Sequence, residues 1–178
     1  MSSQTDFINK HKESVIAAVK RTNLFPSVKM AQMIIESGWG KSANARLANN
    51  YFGIKKGTGW KGQTIVLNTP KDNKPVSTFR KYASALDSIK DHSDFLIKNK
   101  RYEKNGVFSA KTPEQQVKAI FNAGYAEGVK YEDNLNNLIR QYNLKELDKI
   151  VLSDKKNKLL PVLIIAGSIY LIYLGIKK

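Results

Sequence analysis

Ala31-Gln32-Met33-Ile34-Ile35-Glu36-Ser37-Gly38-Trp39-Gly40 sets one acid at the end of an apolar run and follows it at once with a Gly-Trp-Gly turn. Glu36 is the only acidic residue between Glu13 and Asp72. Pro26 near a first helical position and the stripe Val28, Ala31, Ile34 and Ile35 predict a buried-face helix that delivers Glu36 in its last turn. A carboxyl there meets the negative end of the helix dipole and is desolvated by Ile34, Ile35 and Trp39, so its protonated form is favoured. An acid kept protonated near neutral pH suits protonation of a departing glycosidic oxygen. A solvated Glu in a final turn is the ordinary alternative for the same pattern.

Outward from this helix, Phe7, Ile8, His11, Val15, Ala18 and Val19 recur at helical spacing, with Thr5 or Asp6 able to cap the start. His11 lies on the apolar face, as a core or boundary histidine does. Downstream, Asn50-Tyr51-Phe52-Gly53-Ile54-Lys55 forms a tight apolar turn, and from Gly57 to Tyr82 the pattern changes to glycine-rich turns and β-formers. Thr64 to Leu67, a turn from Pro70 to Pro75, and Val76 to Phe79 predict a hairpin with Asp72 at its tip. Ser84 with Asp87, and Thr112-Pro113 with Gln115, mark two further helix starts; a last helix carries Tyr131, Leu135, Leu138, Ile139 and Tyr142.

Several ordered motifs resemble the bacterial glucosaminidase family of cell-wall hydrolases, which includes flagellar peptidoglycan hydrolases and autolysin glucosaminidase domains. They are Ala31 to Ser42, Asn50 to Lys55, Phe79-Arg80-Lys81-Tyr82, Ser88-Ile89-Lys90-Asp91-His92 and Ala123-Gly124-Tyr125-Ala126, spread from about Phe7 to about Tyr142. The resemblance implies an α+β fold: a mostly helical, lysozyme-like domain with a small β-hairpin lobe. It also implies an endo-β-N-acetylglucosaminidase that cleaves β-1,4 bonds of peptidoglycan glycan strands with Glu36 as general acid. Asp72 is the candidate second carboxylate, because related chains carry one on this hairpin, often Glu. Tyr125 is carried over as an active-site tyrosine and Tyr131 as its companion, although Glu127-Gly128-Val129 replaces the usual Thr-Asp-Pro between them. Asp91 and His92 match the family's Asp-His pair and are expected to support the fold. Trp39 is either a lid over Glu36 or part of the sugar-binding wall; Asn50 either bonds the glycan or holds its own turn. With Phe52, Trp60 and Tyr131 they make the candidate substrate-binding set. Inverting, retaining and substrate-assisted routes all stay open.

Thirty Lys plus Arg against fifteen Asp plus Glu give a net charge of +15. Between Ser37 and Leu86 nine basic residues face the single acid Asp72, a bias that suits an anionic glycan. No nucleic-acid motif accompanies the charge, so no nucleic-acid partner is expected. The absence of cysteine excludes disulfides and thiolate sites, and the two histidines lie far apart, so neither metal nor cofactor is expected.

Met1 to Thr5 are polar, and no cleavable signal peptide is expected. Leu159 to Ile176 runs for eighteen residues without a charge between lysine-bearing flanks, roughly 27 Å as a helix. The expected organisation is therefore a catalytic domain over 1–146, a basic polar linker over 147–158 and a single-pass transmembrane helix over 159–176 that anchors the protein to a membrane, in either orientation. A catalytically vestigial wall-binding or membrane-piercing part of an assembly is the alternative function.

Overall fold

The computed structural model describes residues 3–67 and 77–153. Its centre is α2, Pro26–Ser37. Pro26 opens the helix with a φ already suited to it, and Gly38 closes it in the left-handed region at φ 55°, where the N–H groups of Gly38 and Trp39 reach Ile35 O and Ile34 O. The expectation of a single apolar stripe is corrected. Val28, Met30, Ala31, Met33 and Ile34 are all buried, and so are Lys29 and Gln32, because α2 runs through the core instead of along its edge.

Around α2 pack α1 (Ser3–Val19), α6 (Pro113–Asn122) and α7 (Tyr131–Gln141), while α4 (Ala85–Lys98) lies against α1. Two short helices, α3 (Ala43–Ala48) and α5 (Lys100–Lys104), fill connections. The starts of α4 and α6 are capped by the side chains of Ser84 and Thr112, which accept from Asp87 N and Gln115 N at 3.2 Å. His11 is buried between the rings of Phe7 and Tyr51, and burial lowers its pKa to about 4.

The lobe opposite the helices is an antiparallel pair, β1 (Thr64–Leu67) and β2 (Ser77–Arg80), with Ile65 opposite Phe79. Residues 68–76, where the turn with Asp72 at its tip is expected, lie outside the described residues. The lobe is tied to the helical body by Arg80, whose Nη1 reaches both carboxylate oxygens of Asp91 at 2.9 and 2.7 Å, and by the Tyr82 hydroxyl, which donates to the same carboxylate at 2.6 Å.

Two expectations about the carboxy-terminal part change. Residues 145–153 are helical, Leu147 and Val151 are buried in the core, and Asp148 Oδ1 accepts the Ser27 N–H at 2.8 Å. The first part of the expected linker therefore packs on the domain. The transmembrane helix expected at 159–176 lies outside the described residues, and among the described residues no helix is long and apolar enough to cross a membrane. The expected fold class is corrected to a mostly helical domain with a two-stranded sheet and, among the described residues, no membrane-spanning helix. The single-pass, membrane-anchored localisation loses its structural basis with it.

Candidate active site

Glu36 ends α2 with its side chain half-buried. Burial raises its pKa, and the hydroxyl of Tyr131, which donates to Oε1 at 3.4 Å, pulls more weakly the other way. Tyr131 opens α7 and is itself held by Gln32 Nε2, which donates to its oxygen at 3.2 Å. Gln32 and Glu36 stand four residues apart on α2, so one helix face supplies both the acid and the amide that fixes the acid's neighbour.

Tyr125 stands beside this pair in the loop after α6. Its ring stacks on Tyr131 with centroids 5.6 Å apart and planes at 28°. Its pKa is pushed well up by burial, with the neighbouring Glu36, Tyr131 and Tyr102 acting in the same direction, so the hydroxyl keeps its proton. The Tyr125 hydroxyl also meets His92 Nε2 at 2.9 Å. Phe52 lies flat on the His92 ring, 3.9 Å away at 4°. The structure thus brings together Glu36, Tyr125, Tyr131 and, one layer back, Phe52.

The remaining candidates sit elsewhere. Asn50 is fully buried and spends its side chain on the backbone: Nδ2 donates to Ile54 O and Arg80 O at 2.9 Å, and Oδ1 accepts from Ile54 N at 3.0 Å. Of its two expected roles, holding the turn is the one the geometry displays. Trp39 packs edge-on against Phe7 and Tyr142 at 5.8 and 5.0 Å and lines a cavity of about 400 Å³ with Ile35, Asn134, Asn137 and Gln141. Trp60 belongs to the β lobe. Its Nε1 donates to Gln63 O at 2.9 Å, the Arg80 guanidinium lies 4.7 Å over its ring, and it lines a cavity of about 410 Å³ with Asp91, Asp94, Phe95 and Lys98. Asp72 lies outside the described residues.

Two groups next to the site carry no local signal of their place there. Gln32 reads as one more residue of an amphipathic helix until α7 supplies its partner. His92 reads as scaffold, yet its ring nitrogen reaches the tyrosine beside the acid.

Residues 12–144 match the glucosaminidase family, described as mannosyl-glycoprotein endo-beta-N-acetylglucosaminidase. The chain belongs to the glucosaminidase family. The match contains Glu36, Tyr125 and Tyr131. Among glucosaminidase relatives, the chain is 35% identical over 141 residues to the peptidoglycan hydrolase FlgJ of Vibrio parahaemolyticus, covering 75% of this chain and 46% of that protein. It is 28% identical over 158 residues to the exo-glucosaminidase LytG of Bacillus subtilis, covering 84% of this chain and 55% of that protein. The chain thus spans about half the length of these curated relatives. The catalytic domain of the autolysin Auto from Listeria monocytogenes has the same fold, with a TM-score of 0.73 and 29% identity over 83% of this chain and 89% of that one.

Proposed function

We propose that this glucosaminidase-family chain is a peptidoglycan hydrolase, an endo-β-N-acetylglucosaminidase that cleaves β-1,4 glycosidic bonds of the wall glycan. The observation that carries the reading is Glu36: a half-buried carboxyl with a raised pKa, in contact with the Tyr131 hydroxyl, at the end of α2 and inside the family match. Several relatives are peptidoglycan hydrolases by name, which supports the same substrate class.

In this mechanism Glu36 gives its proton to the departing glycosidic oxygen, and a water completes the sugar at the anomeric carbon. Tyr131 and Tyr125 flank the acid: the first holds its carboxyl, and the second offers a hydroxyl to the bound sugar. We assign the water-activating or charge-stabilising carboxylate to Asp72; the substrate's own N-acetyl group, placed by Tyr125, is the competing route. Trp60 is proposed as a glycan contact on the β lobe, whereas Asn50 and Phe52 are both buried and act through the groups they hold.

Digestion of purified peptidoglycan followed by mass analysis of the fragments tests the function. Release of fragments with N-acetylglucosamine at the reducing end is expected, and its loss in Glu36→Gln. Intact glycan after digestion, or full activity in Glu36→Gln, would end the assignment. Asp72→Asn then separates the routes, because a rate close to wild type favours the N-acetyl group.

A further inference from the structure

Lys29, on α2, is one of the largest fully buried side chains, only 1% exposed, and among the described residues no carboxylate pairs with it. Its Nζ instead lies 2.6 Å from His92 Nδ1. The other ring nitrogen, Nε2, lies 2.9 Å from the Tyr125 hydroxyl. The imidazole stacks flat on Phe52, at 3.9 Å and 4°, and the Phe95 ring lies near-parallel to it at 6.3 Å and 15°. Three side chains from α2, α4 and the loop after α6 therefore form one continuous line that ends at Tyr125, whose ring stacks on Tyr131, the residue hydrogen-bonded to Glu36.

The direction of this line follows from donor accounting. A lysine amine keeps at least two N–H groups in either protonation state, and a buried N–H without an acceptor is costly. Donation from Nζ to Nδ1 satisfies one of them. The reverse bond, from Nδ1–H to the amine lone pair, leaves every amine N–H unpaired. With Nδ1 accepting, the single proton of a neutral imidazole sits on Nε2 and is donated to the Tyr125 oxygen. Burial, reinforced by Lys29, lowers the His92 pKa and keeps the ring neutral. The tyrosine's own proton is then not consumed by the histidine and is free for the Glu36 side.

We propose that Lys29 and His92 are positioning residues that fix the Tyr125 hydroxyl as a hydrogen-bond donor to an oxygen of the bound glycan beside Glu36. The proposal rests on the hydrolase reading for its substrate, but the hydrogen-bond direction belongs to the protein alone. In the reversed line, Tyr125 would donate to His92 and could only accept from the sugar.

Nitrogen-15 NMR of the imidazoles in the full chain reads the direction without any substrate, with His92 assigned by loss of its signal in His92→Gln. A neutral ring protonated at Nε2 is expected; a ring protonated at Nδ1, or at both nitrogens, overturns the proposal. Kinetics on purified peptidoglycan give the second readout. Lys29→Met should lower kcat roughly tenfold with KM changed less than about twofold, and should change kcat less than about twofold when Tyr125 is already Phe. Equal losses in both backgrounds would show that Lys29 acts only through packing and overturn the positioning role. If Lys29→Met fails to fold, the wild-type tautomer still decides. If the wild type releases no fragments, the hydrolase reading fails, and the tautomer alone decides the direction of the hydrogen-bonded line.

Discussion

The Tyr131 hydroxyl stands 3.4 Å from Glu36 Oε1, so the acid on α2 is held by a residue 95 positions later in the chain. That bond favours the ionised carboxyl and opposes the larger effect of burial. Tyr131→Phe should therefore raise the Glu36 pKa further. Activity that needs protonated Glu36 falls as pH rises through its ionisation, so the basic limb of the kcat/KM profile should move to higher pH in the variant. A limb that stays in place, or moves down, would contradict the contact.

Glu36→Gln should cut hydrolysis by about 10²-fold or more, the usual scale for losing a general acid. Its effect on stability runs the other way. The folded-state pKa of Glu36 is raised, so the wild type has its full stability below the unfolded value and loses some as pH rises through the folded value. Glutamine carries no such penalty. Thermal melts should show the variant matching wild type at low pH and exceeding it above the folded pKa; a variant less stable at neutral pH would refute the burial argument.

Asn50→Ala removes two donated bonds and one accepted bond from a fully buried site and leaves the backbone groups of Ile54 and Arg80 short of partners. At about 1 kcal/mol per bond the loss is roughly 3 kcal/mol. Chemical denaturation should register it as a lower midpoint with an unchanged slope.

Gly40 and Gly38 both adopt positive φ, at 74° and 55°, but only the first has a crowded Cβ direction, where an added carbon would lie 2.9 Å from Phe7 Cε2. Gly38→Ala should cost about 1 kcal/mol for backbone strain alone. Gly40→Ala should cost more, since the Phe7 ring must also move. Equal denaturation midpoints for the two variants would mean that the α1–turn contact yields without resistance.

What the sequence makes legible is what local chemistry dictates. Pro26 and Gly38 bracket α2, Ser84 and Thr112 cap α4 and α6, and the β-formers of Thr64–Leu67 and Ser77–Arg80 pair antiparallel. The α3 and α5 helices, of six and five residues, are too short to show a period. Nor do local patterns tell which faces of a helix meet neighbours. Lys29 in Ser27-Val28-Lys29-Met30-Ala31 reads as the solvated side of an amphipathic helix, and only long-range packing, with His92 of α4 and the Phe52 ring against its amine, encloses it. Asn50 and Trp39 are ambiguous for the same reason: a polar or aromatic side chain at a turn can face the cleft or the core, and long-range contacts decide. The apolar run from Leu159 suggests a membrane span on composition, whereas the described part of the expected linker is helix packed on the core.

Lys29, Gln32 and Glu36 follow one another along α2 at intervals of three and four, so they share a face. One contacts His92, the next Tyr131, and the last is the acid itself. An inserted or deleted residue between Lys29 and Glu36 would turn one end of the helix by about 100° relative to the other. Each substitution along this face tests one bond, but a frame shift of a single residue would break the shared alignment. The helix therefore acts as a fixed-length ruler, and relatives that keep the chemistry should differ here in residue identity and never in residue count.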